Sequence, residues 1–148
     1  MQTIVQGGLI VPATGAAPIV NGTLSIEDGR IAAVGTAEDF PEPPRGVEII
    51  DAGGSTVLPG LIDCHVHVFA YPQAVGFSES DATVWATNYL RTALAAGVTT
   101  LRDLAAPWDA IFALREAVER GWIVGPRLRV AGQAITMTGG HGHDDGTV

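Results

Sequence analysis

Two histidines, His65 and His67, are separated by one residue inside the apolar run LPGLIDCHVHVFA, residues 58–70. Alternate residues of a β-strand project from one face, so a strand here would place both imidazoles side by side. Two such rings can bind a divalent metal from one side, at about 2.0–2.1 Å for zinc. The spacing alone is more typical of two histidines that are hydrogen-bonded in a core or exposed at a sheet edge.

Cys64 lies between the two histidines and Asp63 precedes them. In a regular strand Cys64 would face away from the rings, toward a helix layer, and we expect a small core residue there. Asp63 would share the face of the histidines. We expect it to support the site or to make a hydrogen bond where the strand begins, rather than to bind metal.

Other polar groups have less specific patterns. His141 and His143 repeat the spacing in the glycine-rich segment TMTGGHGHDDGTV, where no strand fixes the direction of their side chains. Arg102 and Asp103 end the apolar run VTTLRDL and could orient a substrate, form a buried salt bridge or cap the chain. The three tryptophans lie on or beside predicted helices and are expected to pack.

The composition narrows the class of protein. The chain has 148 residues, 47% of them hydrophobic, and a net charge of −8, which argues against nucleic acid or an anionic membrane as a partner. Its eight basic residues are all arginines. A single cysteine and the absence of a signal-peptide pattern favour a cytoplasmic protein.

The pattern of elements changes near residue 57. The first 56 residues read as short strands, with an Asp28-Gly29 hairpin between alternating hydrophobic residues. Residues 57–148 alternate strand and helix, with helices expected at about 81–96 and after Pro107, each closed by a glycine. Such alternation predicts an α/β fold with a parallel sheet. About 250 residues are needed for a closed (β/α)₈ barrel, so we expect three βα units of something longer.

The segment STVLPGLIDCHVHVF resembles the signature of the amidohydrolase superfamily, whose pattern Asp-x-His-x-His is matched by Asp63, His65 and His67. GVTTLRDL, residues 97–104, and GPRLRVAGQAITMTGGHGH, residues 125–143, resemble the second and third barrel strands of that family. The likeness is greatest to its imidazolonepropionase-like branch, especially members acting as Xaa-Pro dipeptidases. It implies that residues 1–56 form the N-terminal part of a composite β-sandwich domain and that residues 57–148 begin a (β/α)₈ (TIM) barrel.

The resemblance also implies a metal-dependent hydrolase. His65 and His67 would bind a divalent metal, expected to be zinc, with one or two ions in a full-length enzyme. A carboxylated lysine or a glutamate and two further histidines would come from later strands, and the general acid/base aspartate would lie beyond residue 148. A metal-activated hydroxide would then attack a C–N amide bond in a dipeptide or small cyclic amide. His141 is implied to contact the substrate, whereas His143 has no implied role.

Several alternatives remain open. Imidazolonepropionase-like ring opening, lactonase and deaminase chemistry all fit the same motifs. A non-catalytic fragment that associates through exposed sheet edges, including with its own copies, is the alternative outside the enzymes. We expect the isolated chain to be inactive, because it supplies two metal ligands and has no lysine to carboxylate.

Overall fold

The computed structural model describes residues 2–43 and 45–140. They divide into two compact units, Met1–Pro59 and Gly60–Val148, which are described separately. Within the described residues no helix is both long enough and apolar enough to cross a membrane.

The described residues of the first unit form one mixed sheet rather than the two layers of a sandwich. β1 pairs antiparallel with β2 and parallel with β4 and β5, and β2 pairs antiparallel with β3. A short 3₁₀ helix, Ala37–Asp39, follows β3. The strands are β1 (Gln2–Ile10), β2 (Ile19–Glu27), β3 (Arg30–Thr36), β4 (Glu48–Asp51) and β5 (Thr56–Val57).

The predicted hairpin joins β2 to β3. Asp28 and Gly29 have φ angles of 48° and 75°, the left-handed conformation that a two-residue turn between twisted strands requires. A second glycine, Gly7 with φ 83°, interrupts the pairing of β1 with β2 between Gln6 and Gly8. The residues on both sides of this glycine nevertheless form one strand, with a bulge at Gly7.

The second unit alternates strands and helices around a three-stranded parallel sheet with the order β6-β7-β8. Three strands do not close a barrel. A short first helix was not predicted from the sequence; it contains a proline, Pro72, which is tolerated because it lies in the first turn. The elements are β6 (Leu61–Val66), α1 (Ala70–Ala74), α2 (Glu79–Ala95), β7 (Val98–Asp103), α3 (Ala110–Glu119) and β8 (Arg127–Val130).

The core of this unit lies between the sheet and its helices. Leu101 of β7 pairs in register with Leu128 of β8, and both pack under Leu90 of α2 and Ile111 of α3. Each of these four side chains is at most 2% exposed. Burial of a side chain of this size stabilises the fold by about 1.5–3 kcal/mol. The sheet is therefore fixed to its helices mainly through β7 and β8.

Strand β6 lies at the edge of the sheet and is much less covered. α2 packs on β7 and α3 on β8, while Leu61 and Ile62 of β6 are 55% and 64% exposed. Cys64 is exposed as well, so the prediction that it is a small core residue was wrong. The physical reason is that, among the described residues, the helices pack mainly on β7 and β8 and leave this part of β6 exposed.

Candidate functional site

The two histidines lie where β6 ends. His65 belongs to the strand, whereas His67 follows its last residue, Val66. Their Nε2 atoms are 3.3 Å apart, and the rings, with centroids 5.2 Å apart, meet edge to face at 76°. Both side chains are exposed. The two predicted histidines therefore lie side by side, although only His65 belongs to the strand.

This separation can be compared with what a metal ion requires. Two nitrogens bound tetrahedrally to zinc at about 2.0–2.1 Å would lie about 3.3–3.4 Å from each other. The same separation also allows a long N–H···N hydrogen bond between the two rings. The donor chemistry and the spacing of His65 and His67 thus fit two positions of a zinc coordination sphere.

A hydrogen bond to the backbone determines which nitrogen of the His67 ring carries the proton. Its Nδ1 lies 3.2 Å from the carbonyl oxygen of Ala105. A carbonyl only accepts, so this hydrogen bond requires the proton on Nδ1, and in the neutral ring Nε2 then presents its lone pair. Metal-binding histidines generally have such a partner on the nitrogen that faces away from the ion.

The peptide group that joins Cys64 to His65 lies in an irregular part of the strand pair. Asp63 pairs with Leu101 and Val66 with Asp103, so β6 holds one more residue than β7 between these points. Such a bulge frees backbone groups from the ladder. Here side chains bond them: Arg102 Nε donates to the Cys64 carbonyl at 2.7 Å, and the His65 N–H donates to Asp63 Oδ1 at 3.1 Å.

The bulge also changes the prediction for Asp63. Because strict alternation is lost between Asp63 and Val66, the argument that Asp63 shares the face of His65 does not hold. Its observed hydrogen bond to the backbone of His65 is instead the contact expected where a strand begins.

Asp103 bonds the backbone of the residue that follows His67. It is fully buried, and its Oδ2 accepts the N–H of Val68 at 2.7 Å, while Oδ1 has no hydrogen-bond partner among the residues that the structure describes. Burial raises the pKa of this carboxyl, against the opposing effects of the Val68 N–H, the His67 ring and the backbone of Ala105. Of the roles considered for Asp103, the structure shows the cap and not a salt bridge with Arg102.

The rest of a metal site is not assembled by the residues that the structure describes. Nowhere among them does a group of three or more histidine, cysteine or carboxylate side chains come together to hold an ion. His141 and His143 lie outside the described residues. The substrate contact implied for His141 therefore stays a prediction.

Sequence reasoning missed the contacts that hold the histidines. The acceptor for His67 is a backbone carbonyl, which leaves no trace in residue type. Asp103 did carry a signal, because it lies two residues after the buried Leu101 and so on the same face of β7. A carboxylate on a core face indicates a specific donor nearby.

Comparison with known proteins identifies the region around the histidines. The model of a family described as "Amidohydrolase family" matches residues 56–148. Ochratoxinase of Aspergillus niger is 31% identical over 147 residues, covering 95% of this chain and 30% of the relative. Imidazolonepropionase of Cupriavidus taiwanensis is 37% identical over 138 residues, covering 90% of this chain and 31% of the relative.

Solved structures give the same result for the fold. The crystal structure of a prolidase in complex with N-methylphosphonate-L-proline superposes with a TM-score of 0.80 at 33% identity. The superposition covers 97% of this chain and 35% of the prolidase chain. The chain thus spans about a third of the length of each of these proteins.

Proposed function

The chain belongs to the amidohydrolase family, and we propose that it forms the N-terminal third of a metal-dependent hydrolase that cleaves C–N amide bonds. In this proposal residues 57–148 supply the first three βα units of a (β/α)₈ barrel, and residues 1–56 supply part of a β-sandwich domain. The proposed location of the enzyme is the cytoplasm.

The pair formed by His65 and His67 is the observation that carries the proposal. Their Nε2 atoms lie 3.3 Å apart, and the hydrogen bond to the Ala105 carbonyl holds the His67 ring with its Nε2 toward His65. A divalent ion held there, expected to be zinc, would lower the pKa of a bound water to about 7 and would polarise the scissile carbonyl. The contribution of this chain is to hold two ligands of that ion in register; the remaining ligands and the general acid/base come from outside it.

The substrate we propose is a dipeptide or a small cyclic amide. Support comes from two of the similar proteins, a prolidase and an imidazolonepropionase, by their names. His141 is proposed to contact this substrate. Imidazolonepropionase-like opening of a cyclic amide is the alternative within the same chemistry.

A chimera tests the proposed function. Residues 1–148 replace the matched region of the prolidase, and hydrolysis of Xaa-Pro dipeptides and of a cyclic amide is measured with and without added zinc. We expect zinc-dependent turnover that falls at least about 10³-fold in the His65→Ala chimera, since loss of a ligand disables the ion.

Circular dichroism and elution volume serve as the control that both chimeras fold. A folded chimera whose turnover is indifferent to His65→Ala and His67→Ala would contradict the proposal.

A second candidate rests on the exposed edge strand. Leu61 and Ile62 of β6 are 55% and 64% exposed, and exposed apolar edges favour association. A non-catalytic role through homo-oligomer formation would show as a concentration-dependent elution volume. The double variant Leu61→Lys/Ile62→Lys would abolish that dependence, and a monomer at all concentrations would count against this role.

A further inference from the structure

We propose that Arg102 and Asp103, consecutive residues at the end of β7, are positioning residues for the two histidines, Arg102 for His65 and Asp103 for His67. The inference rests on the proposed function for its purpose. The contacts of Arg102 and Asp103, however, are present in the metal-free chain and can be measured in it.

Arg102 acts on the peptide group that precedes His65. The bulge of β6 takes the Cys64 carbonyl out of the ladder, and Arg102 Nε donates to it at 2.7 Å. The N–H of the same peptide group is held by Asp63 at 3.1 Å. Since both ends of the peptide plane are bonded, the peptide group that leads into the Cα of His65 is held in place, which leaves the ring only the rotations about φ and its side-chain torsions.

Asp103 acts on the peptide group that follows His67. Its Oδ2 accepts the Val68 N–H at 2.7 Å, a charge-assisted bond in a fully buried position. Two residues farther along the chain, the Ala105 carbonyl accepts from His67 Nδ1 at 3.2 Å. The end of β7 therefore holds both the backbone beside His67 and its ring.

These contacts differ from ordinary stabilisation of a strand pair. Asp103 is buried, and one of its carboxylate oxygens has no hydrogen-bond partner in the described part of the chain, an arrangement that costs free energy. Arg102 also lies directly beside Arg129 in the register of β7 and β8, a like-charge pairing that disfavours both. Neither residue is the choice that maximises the stability of β7, and each bonds a backbone group next to a histidine.

Amide hydrogen exchange measured by NMR on the metal-free chain provides the first test. In Asp103→Ala we expect the Val68 N–H to exchange at least about tenfold faster, and in Arg102→Ala we expect the His65 N–H to exchange about fivefold faster. Long-range ¹H–¹⁵N spectra should show His67 protonated at Nδ1 in the wild type and as a mixture of tautomers in Asp103→Ala.

Asp103→Asn, which keeps an acceptor for Val68, should restore both signals. Arg129→Ala removes the same charge from the neighbouring strand and is the matched control for Arg102→Ala; it should leave the His65 amide unchanged. Leu114→Ala destabilises the same core from α3, and should alter neither histidine beyond the uniform change that lower stability brings.

Zinc affinity provides the second test, in a background in which His141 and His143 are replaced by alanine. Competition with a chromogenic chelator should show a 10- to 100-fold loss for Asp103→Ala and a smaller loss for Arg102→Ala, with about wild-type affinity in Asp103→Asn and Arg129→Ala. Unchanged exchange rates and tautomers in Arg102→Ala and Asp103→Ala would overturn the inference. If those signals change while the folded chimera shows no zinc-dependent turnover, the proposed function fails and the positioning roles stand.

Discussion

His65 and His67 bring their Nε2 atoms to within 3.3 Å of each other although strand β6 ends between them, at Val66. Strand periodicity accounts for only one of the two rings. The ring of His67 is held by the segment that follows β7, through a hydrogen bond to the carbonyl of Ala105. The pair is therefore a product of two neighbouring strands rather than of one motif.

The isolated 148-residue chain should not hydrolyse amides or esters. A catalytic zinc generally has three protein ligands and one open position, whereas the described residues bring together two histidines. We expect no zinc-stimulated release of proline from Xaa-Pro dipeptides above the buffer rate. Metal-dependent turnover by the pure chain that disappears in His65→Ala would contradict this expectation.

Gly60, which precedes β6, should not tolerate a side chain. A Cβ at this position would overlap the side chain of Thr99, whose own Cβ would lie 2.7 Å away. Thr99 belongs to β7, so the glycine allows the two strands to approach at their beginning. We expect Gly60→Ala to lower the free energy of unfolding by about 1–3 kcal/mol, measured by urea denaturation.

The double variant Gly60→Ala/Thr99→Gly tests the cause. If the overlap is responsible, the loss from Gly60→Ala should largely vanish when Thr99 is already glycine. Strictly additive losses would assign the effect of Gly60 to something other than Thr99.

The stability of the chain should depend on pH through Asp103. Burial raises the pKa of this carboxyl above its ordinary value of 3.8. A group whose pKa is raised in the folded state contributes stability that is fully present below its unfolded pKa and is lost as the pH rises through the folded pKa. Asparagine at this position has no such loss.

Urea unfolding of the wild type and Asp103→Asn from pH 3.5 to pH 8 measures this effect. The free energy of unfolding of Asp103→Asn relative to the wild type should rise as the pH increases above about 4 and then level off. Other titrating groups cancel in the difference. A difference that is flat, or that falls with rising pH, would show that the folded state does not raise the pKa of Asp103.

Much of the second unit could be predicted from its sequence because its signals are local. The helix expected at about residues 81–96 is observed as Glu79–Ala95, with Ser78 as its N-cap and Gly97 at a φ of 88° just after it. The Asp28-Gly29 hairpin is confirmed for the same reason. Turn chemistry and periodicity are properties of neighbouring residues, and one sequence suffices to read them.

The details of the site depend on pairing between strands, which a single sequence does not reveal. The bulge that breaks the alternation of side chains between Asp63 and Val66 exists only in the register of β6 against β7. The exposure of Cys64 depends on which strands the helices cover. Trp122, expected to pack, is instead 70% exposed beside Arg120, because it follows the end of α3.

Zinc binding by the pure chain tests the central claim, that His65 and His67 are paired ligands of one ion. Isothermal titration calorimetry is carried out in the background without His141 and His143, and compared with the same background carrying His65→Ala or His67→Ala. We expect one zinc per chain, and affinity that falls at least about tenfold, and to a similar extent, in either variant, because one remaining imidazole is a weak ligand. Zinc affinity that is the same in all three proteins would contradict the claim.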